Sequence, residues 1–113
     1  MGKYIVLYYR DYKGKSEVLN FILKANEPCQ AKIFNQIDHL KEYGLSGHNP
    51  SLRKLSGTPL WEARILGKDN IRLFCATIDS KVVIFHVFFK KRQKTPSQEI
   101  SIALIRYKDL VDR

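Results

Sequence analysis

A chain of 113 residues with 44% hydrophobic side chains is predicted to form one domain, residues 1–113, around a single modest core, and it is too apolar for wholesale disorder. It lacks the run of about 18 apolar residues that a membrane span needs, and Met1–Arg10 does not read as a signal peptide, so a cytoplasmic protein is expected. The net charge of +9 is uneven: residues 51–113 hold 13 basic and 6 acidic side chains, against 7 and 5 in residues 1–50. That asymmetry favours a polyanionic partner, nucleic acid or an acidic protein; a well-solvated basic surface is the alternative.

Lys3–Tyr9 is rich in β-branched and aromatic residues and predicts a first strand. A helix follows, capped by Ser16, with Val18, Leu19, Ile22, Leu23 and Ala25 at helical spacing. Glu27-Pro28 ends it, and Pro28 opens a second helix with Ile33, Phe34, Ile37, Leu40 and Lys41 on one side and Gly44 as its stop. Two helices joined so tightly predict an αα-hairpin. Ser46–Pro59 is turn chemistry, with a brief strand near Leu52–Leu55 as an option. "LWEARIL" alternates, with Trp61, Ala63 and Ile65 on one face and Glu62 and Arg64 on the other. "GKDN" is a turn candidate, "IRLFCATI" a strand, "DSK" a turn, and "VVIFHVFF" a central strand buried on both faces. Thr95-Pro96-Ser97-Gln98 combines the signals of a helix start, and Ile100, Ala103, Leu104, Tyr107 and Val111 give the last helix an apolar face. The order β-α-α-β-β-β-α predicts an α+β fold: a small, mainly antiparallel sheet with an N-terminal αα-hairpin on one face and a C-terminal helix. Cys29 and Cys75 fit buried free thiols better than a bridge.

His39, His48 and His86 have no metal-site spacing, and no phosphate-cradling glycine motif or nucleophile elbow is present. No metal and no cofactor are expected. What remains is basic side chains on or beside the sheet. Arg64 projects from the face opposite Trp61, Arg72 follows one hairpin later, and Lys90, Lys91, Arg92 and Lys94 end the central strand. Adjacent strands can gather these into one concave patch, where guanidinium forks grip phosphate oxygens and ammonium groups add point charge. Taken singly, Arg64 and Arg72 are more simply surface ion pairs with Glu62 or Asp69, and "KKRQK" a solvated run. His86 reads first as a hydrogen-bonded core histidine and second as a proton carrier. Phe88 and Phe89 read as core, with base stacking as the alternative.

The segments "LWEARI", "IRLFCATID" and "VVIFHVFFKKRQKTPSQEISIALIR", in that order, resemble the phage-derived HigB branch of the RelE/ParE toxin superfamily. The specific part is "FFKKRQKTPSQEI"; the likeness covers roughly residues 52–108, and the N-terminal strand and helices match in layout only. The resemblance implies a RelE-like fold and the toxin of a type II toxin-antitoxin system. It also implies metal-independent endonucleolytic cleavage of mRNA on translating ribosomes, by attack of a 2′-hydroxyl on its neighbouring phosphate. It places Arg64 and Arg72 at phosphate-holding strand positions and Lys91 and Arg92 at the basic strand end; the expected catalytic residues are Arg64, Arg72 and Lys91, and the expected RNA-binding residues Lys54, Lys90, Arg92 and Lys94. A tyrosine that RelE uses at the following helix start has no counterpart in Pro96–Glu99, so the proton acceptor is open.

The implied partners are a HigA-like helix-turn-helix antitoxin, mRNA on the ribosome, and operator DNA only through the antitoxin. Two readings compete: a ParE-like toxin acting on DNA gyrase, and a non-catalytic nucleic-acid-binding module. On the ribonuclease reading Arg72 and Lys91 should matter most, and as exposed charges they should contribute little to stability.

Overall fold

The residues described by the computed structural model are 2–65, 67, 70–91 and 97–113. The chain runs β1 (Val6–Tyr8), α1 (Glu17–Lys24), α2 (Glu27–Tyr43), β2 (Leu52–Lys54), β3 (Trp61–Ile65), β4 (Ile71–Ile78), β5 (Lys81–Phe89) and α3 (Ser97–Val111). The expected α+β architecture is present, with one element more than the predicted order: the brief strand in the 46–59 turn region forms, as β2. The five strands lie in the order β1-β5-β4-β3-β2, antiparallel except for β1, which runs parallel to β5.

Local chemistry sets the boundaries. The Ser16 hydroxyl accepts from the Leu19 N–H at 3.1 Å and starts α1. The second helix begins one residue before Pro28, because the Asn26 side chain caps it by accepting from the Cys29 N–H at 2.9 Å. Pro28 then sits in the first turn, where its missing N–H costs nothing. Gly44, at φ 67°, ends α2 by donating to Leu40 O at 2.8 Å. Asp79 and Ser80, at φ 50° and 66°, form the two-residue turn joining β4 to β5. The turn expected at Gly67–Asn70 lies partly outside the described residues, as does the helix-start signal at Thr95-Pro96.

The strand pattern then builds two cores. Ala63, Ile65, Ile71, Leu73, Val82, Ile84 and Val87 face the buried residues Val18 and Ile22 of α1 and Cys29, Ile33, Ile37 and Leu40 of α2. On the other face Phe74, Ala76, Val83, Phe85 and Phe88 meet Ala103 of α3, with Ile100, Leu104, Tyr107 and Leu110 packed beside it. Strand β5 contributes to both cores, as expected of a central strand. Four positions depart from the predicted helix faces. Phe34, Lys41, Leu23 and Val111 are exposed, because the stripes that touch the sheet run through Ile33 and Ile37, Val18 and Ile22, and Ala103 and Leu110. Both cysteines are free and buried.

One irregularity bears on the site. The β4–β5 register passes from Phe74↔His86 to Cys75↔Ile84, so Phe85 is an extra residue in β5. Its carbonyl accepts from Arg106 Nη1 at 2.8 Å, which ties α3 to the bulge. Among the described residues, no helix is long and apolar enough to cross a membrane.

Candidate functional site

Strand alternation decides where the charges go. Ala63 and Ile65 point into the α1/α2 core, as do Ile71 and Leu73, so Glu62, Arg64 and Arg72 point to the α3 face. Arg53 pairs with Glu62 across β2 and β3 and joins them. Helix α3 packs on β5 and β4. Beside it Arg53, Glu62, Arg64, Arg72 and Lys90 line a cavity of about 400 Å³, closed at one side by Pro50 and Ser51.

Arg64 and Arg72 stand directly opposite each other. Arg64 gives its N–H to Ser51 O at 2.9 Å, and its carbonyl accepts from Gln36 Nε2 at 2.9 Å. Both backbone groups therefore turn away from β4. The pair is a non-hydrogen-bonded one, the kind whose side chains approach most closely. Like charges so placed destabilise a sheet by about 0.5 kcal/mol.

Glu62 offsets the repulsion. It is 2% exposed; Oε1 accepts from Arg53 Nη2 at 2.8 Å, and Oε2 lies 4.0 Å from Arg72 Nε. The ion pair considered from the sequence thus exists, but buried and with Arg53 as its nearer described partner. Arg72 is not the exposed cation expected: its side chain is 12% exposed. On β4 it stands between Arg64 of β3 and Phe88 of β5. Burial lowers its pKa, Glu62 opposes that, and Arg64 and Arg53 add to it. A guanidinium stays cationic regardless. Among the described residues its Nε is buried without a hydrogen-bond partner, while Nη1 donates to Ile71 O at 3.2 Å. A buried unpaired donor costs about 1–3 kcal/mol, offset here by the charge of Glu62, whose Oε2 lies 4.0 Å away.

Of the residues singled out in the sequence, the fold brings Arg64, Arg72 and Lys90 together. Lys91 is exposed beyond the end of β5 and is not among the residues lining this cavity, whereas Lys90 is. Lys54 donates to the Thr58 carbonyl in the β2–β3 turn, away from the lining. Arg92 and Lys94 lie outside the described residues. Arg53 and Glu62 were not among the expected site residues; the signal was the alternation of "LWEARIL" once β2 is placed beside it.

His86 is a hydrogen-bonded histidine beneath α3. Nδ1 faces Arg106 Nη1 at 3.3 Å and Nε2 faces Glu99 Oε1 at 3.1 Å. Arg106 can only donate, so Nδ1 accepts and Nε2 carries the hydrogen. Burial lowers the His86 pKa, Glu99 opposes this and Arg106 reinforces it. The ring stacks on Phe88 at 5.4 Å and lines a different cavity, beside α1. Among the described residues, no group of three or more His, Cys, Asp or Glu side chains is placed to hold a metal ion.

Fold and site together define a small α+β protein with a cationic cavity set on the strands of an antiparallel sheet. Residues 20–108 match the family described as phage-derived protein Gp49-like (DUF891), and the chain belongs to that family, a RelE/HigB-type toxin-like group associated with toxin-antitoxin systems. No curated protein matches the chain.

Proposed function

We propose that the chain is the toxin of a type II toxin-antitoxin pair, of the HigB type, and a metal-independent endoribonuclease that cuts mRNA on the translating ribosome. The observation that carries this reading is the convergence of Arg53, Arg64, Arg72 and Lys90 on one cavity. The 2′-hydroxyl gives up its proton as its oxygen bonds to the adjacent phosphorus, the bond to the 5′-oxygen breaks, and that oxygen takes up a proton, leaving a cyclic phosphate and a 5′-hydroxyl. Negative charge grows on the non-bridging oxygens as this happens. Arg64 and Arg72, held opposite each other, meet those oxygens; one fixed donor of this kind contributes about 3 kcal/mol to the transition state. Lys90 adds charge at the rim.

A few cations hold single-stranded RNA weakly at physiological salt, so the ribosome supplies the positioning. Cleavage is expected to be fast on ribosome-bound message, slow on naked RNA, and unchanged by a chelator. Equal rates on both substrates would refute the ribosome dependence. The partner of this reading is an acidic or mixed-charge helix-turn-helix antitoxin that covers the basic cavity and carries the pair to operator DNA. The two proteins, co-expressed, should elute together from gel filtration at micromolar concentration; separate elution would count against the pairing.

A further inference from the structure

A second cavity, of about 450 Å³, adjoins the first and shares Pro50, Ser51 and Arg64 with it. Its far wall is α2, which presents Lys32, Asn35, Gln36 and His39. These fall on one stripe of the helix, beside the buried stripe of Ile33, Ile37 and Leu40.

A directed chain of hydrogen bonds holds this wall. Asn49 Oδ1 accepts from the Ser51 N–H at 2.9 Å, which fixes the orientation of the Asn49 amide. The Ser51 hydroxyl donates to the same oxygen at 2.6 Å and accepts from Gln36 Nε2 at 2.9 Å, while Gln36 Nε2 also donates to the Arg64 carbonyl. The Asn49 amide nitrogen, so oriented, lies 3.0 Å from His39 Nδ1 and donates to it. His39 Nδ1 is therefore an acceptor, and the remaining hydrogen sits on Nε2. The ring is braced by Tyr43 at 4.6 Å. In this arrangement Nε2 is a donor and not a base. Asn35 and His39 are both exposed, so the Asn35 amide and His39 Nε2 are open to solvent or to a ligand. The same Gln36 and Ser51 fix the backbone of Arg64, so both cavities rest on one rigid frame.

We infer that this second cavity is a nucleobase subsite, in which His39 Nε2–H and the Asn35 amide meet the edge of the base next to the phosphate held by Arg64 and Arg72. The inference rests on the ribonuclease reading. A phosphate offers only acceptors and suits the arginine cavity. A base edge offers donors and acceptors together, which an amide beside an imidazole N–H matches, and single-stranded RNA is read at such edges. The volume falls within the range of small-ligand sites, about 300–1,000 Å³.

The test uses the intact protein and dinucleotides made uncleavable by 2′-O-methylation, varied at one base, with inorganic phosphate as the control. The Arg72 Nε–H and His39 ring resonances are followed by NMR. Dinucleotides should shift both, phosphate only Arg72. One base should bind about tenfold more tightly than the weakest, the effect of about one hydrogen bond. His39→Ala and Asn35→Ala should each reduce that discrimination and leave phosphate binding within about twofold, since neither residue touches the phosphate cavity. Dinucleotides that shift Arg72 but not His39, or variants that keep the base preference, would overturn the inference and leave the ribonuclease reading standing. An Arg72 signal indifferent to both dinucleotide and phosphate would overturn both.

Discussion

Arg64 and Arg72 face each other across β3 and β4, and every backbone hydrogen bond of Arg64 runs to the opposite side. Two cations are thereby brought to one place, with one accessible and the other sunk against the sheet. The arrangement opposes stability, and an anion bound between them turns the repulsion into attraction.

The two arginines should differ under mutation. Arg64 is exposed, so Arg64→Ala should unfold within about 0.5 kcal/mol of the parent yet cut about a hundredfold more slowly. Arg72→Ala should lose activity and also about 1 kcal/mol of stability, since the packing of its buried side chain and its ion pair with Glu62 outweigh the relief of its unpaired Nε. Arg72→Lys should stay impaired, since an ammonium cannot reproduce the two-pronged contact. Single-turnover rates beside urea denaturation separate the effects. A fully active Arg64→Ala protein would remove Arg64 from the site.

Glu62 acts as a positioning residue between Arg53 and Arg72. Glu62→Gln keeps the shape and removes the charge. The variant should be less stable at low ionic strength and regain stability as salt screens the exposed arginines, a trend the parent should show weakly. Denaturation midpoints at low and high salt measure this. Equal salt responses would show that Glu62 does not hold the arginines together.

The fold was legible in the sequence where spacing and burial agree. Ser16 as a cap, Gly44 as a stop, the alternation of Trp61–Ile65 and the doubly buried β5 follow from local chemistry. The site was legible in kind more than in position. Charge at the end of β5 was evident, but whether Lys90 or Lys91 enters the cavity depends on where the strand ends and on the Phe85 bulge. Arg53 was not legible because a three-residue strand has too few positions to show a period. The depth of Arg72 was hidden because it depends on its cross-strand neighbours Arg64 and Phe88, and the α2 wall because Asn49–Ser51 fold back on β3, which no local pattern records.

His86 gives a pH dependence. Its pKa is held below the ordinary 6.5 chiefly by burial, against the pull of Glu99 and with the help of Arg106, so the unfolded chain binds a proton at a pH where the folded one does not. Stability is therefore full above about pH 6.5 and is lost as pH falls through the folded value. In the parent, chemical denaturation should show a lower midpoint at about pH 5.5 than at about pH 7.5. The His86→Gln variant should be less stable at neutral pH, show a smaller decline, and retain cleavage. A stable His86→Gln protein that does not cut would make His86 a participant in the reaction.

Cys75 should be chemically silent. Burial pushes its thiol up to about 12, and its Sγ lies against the Trp61 carbonyl at 3.8 Å. An alkylating reagent at neutral pH should leave it unmodified in the folded protein and label it in urea, read by peptide mass. Rapid labelling of the native protein would mean that the β3–β4 core opens readily.

The central claim is that the arginine cavity cuts translated RNA. Its most direct test is a transcriptome-wide map of RNA ends after brief expression of the parent chain and of Arg64→Ala at equal protein level. Discrete new 5′-hydroxyl ends within translated codons, present with the parent and strongly reduced with the variant, are the predicted result. Growth arrest by the parent with DNA-damage signals and no such ends would contradict it, and would place the target on DNA topology instead.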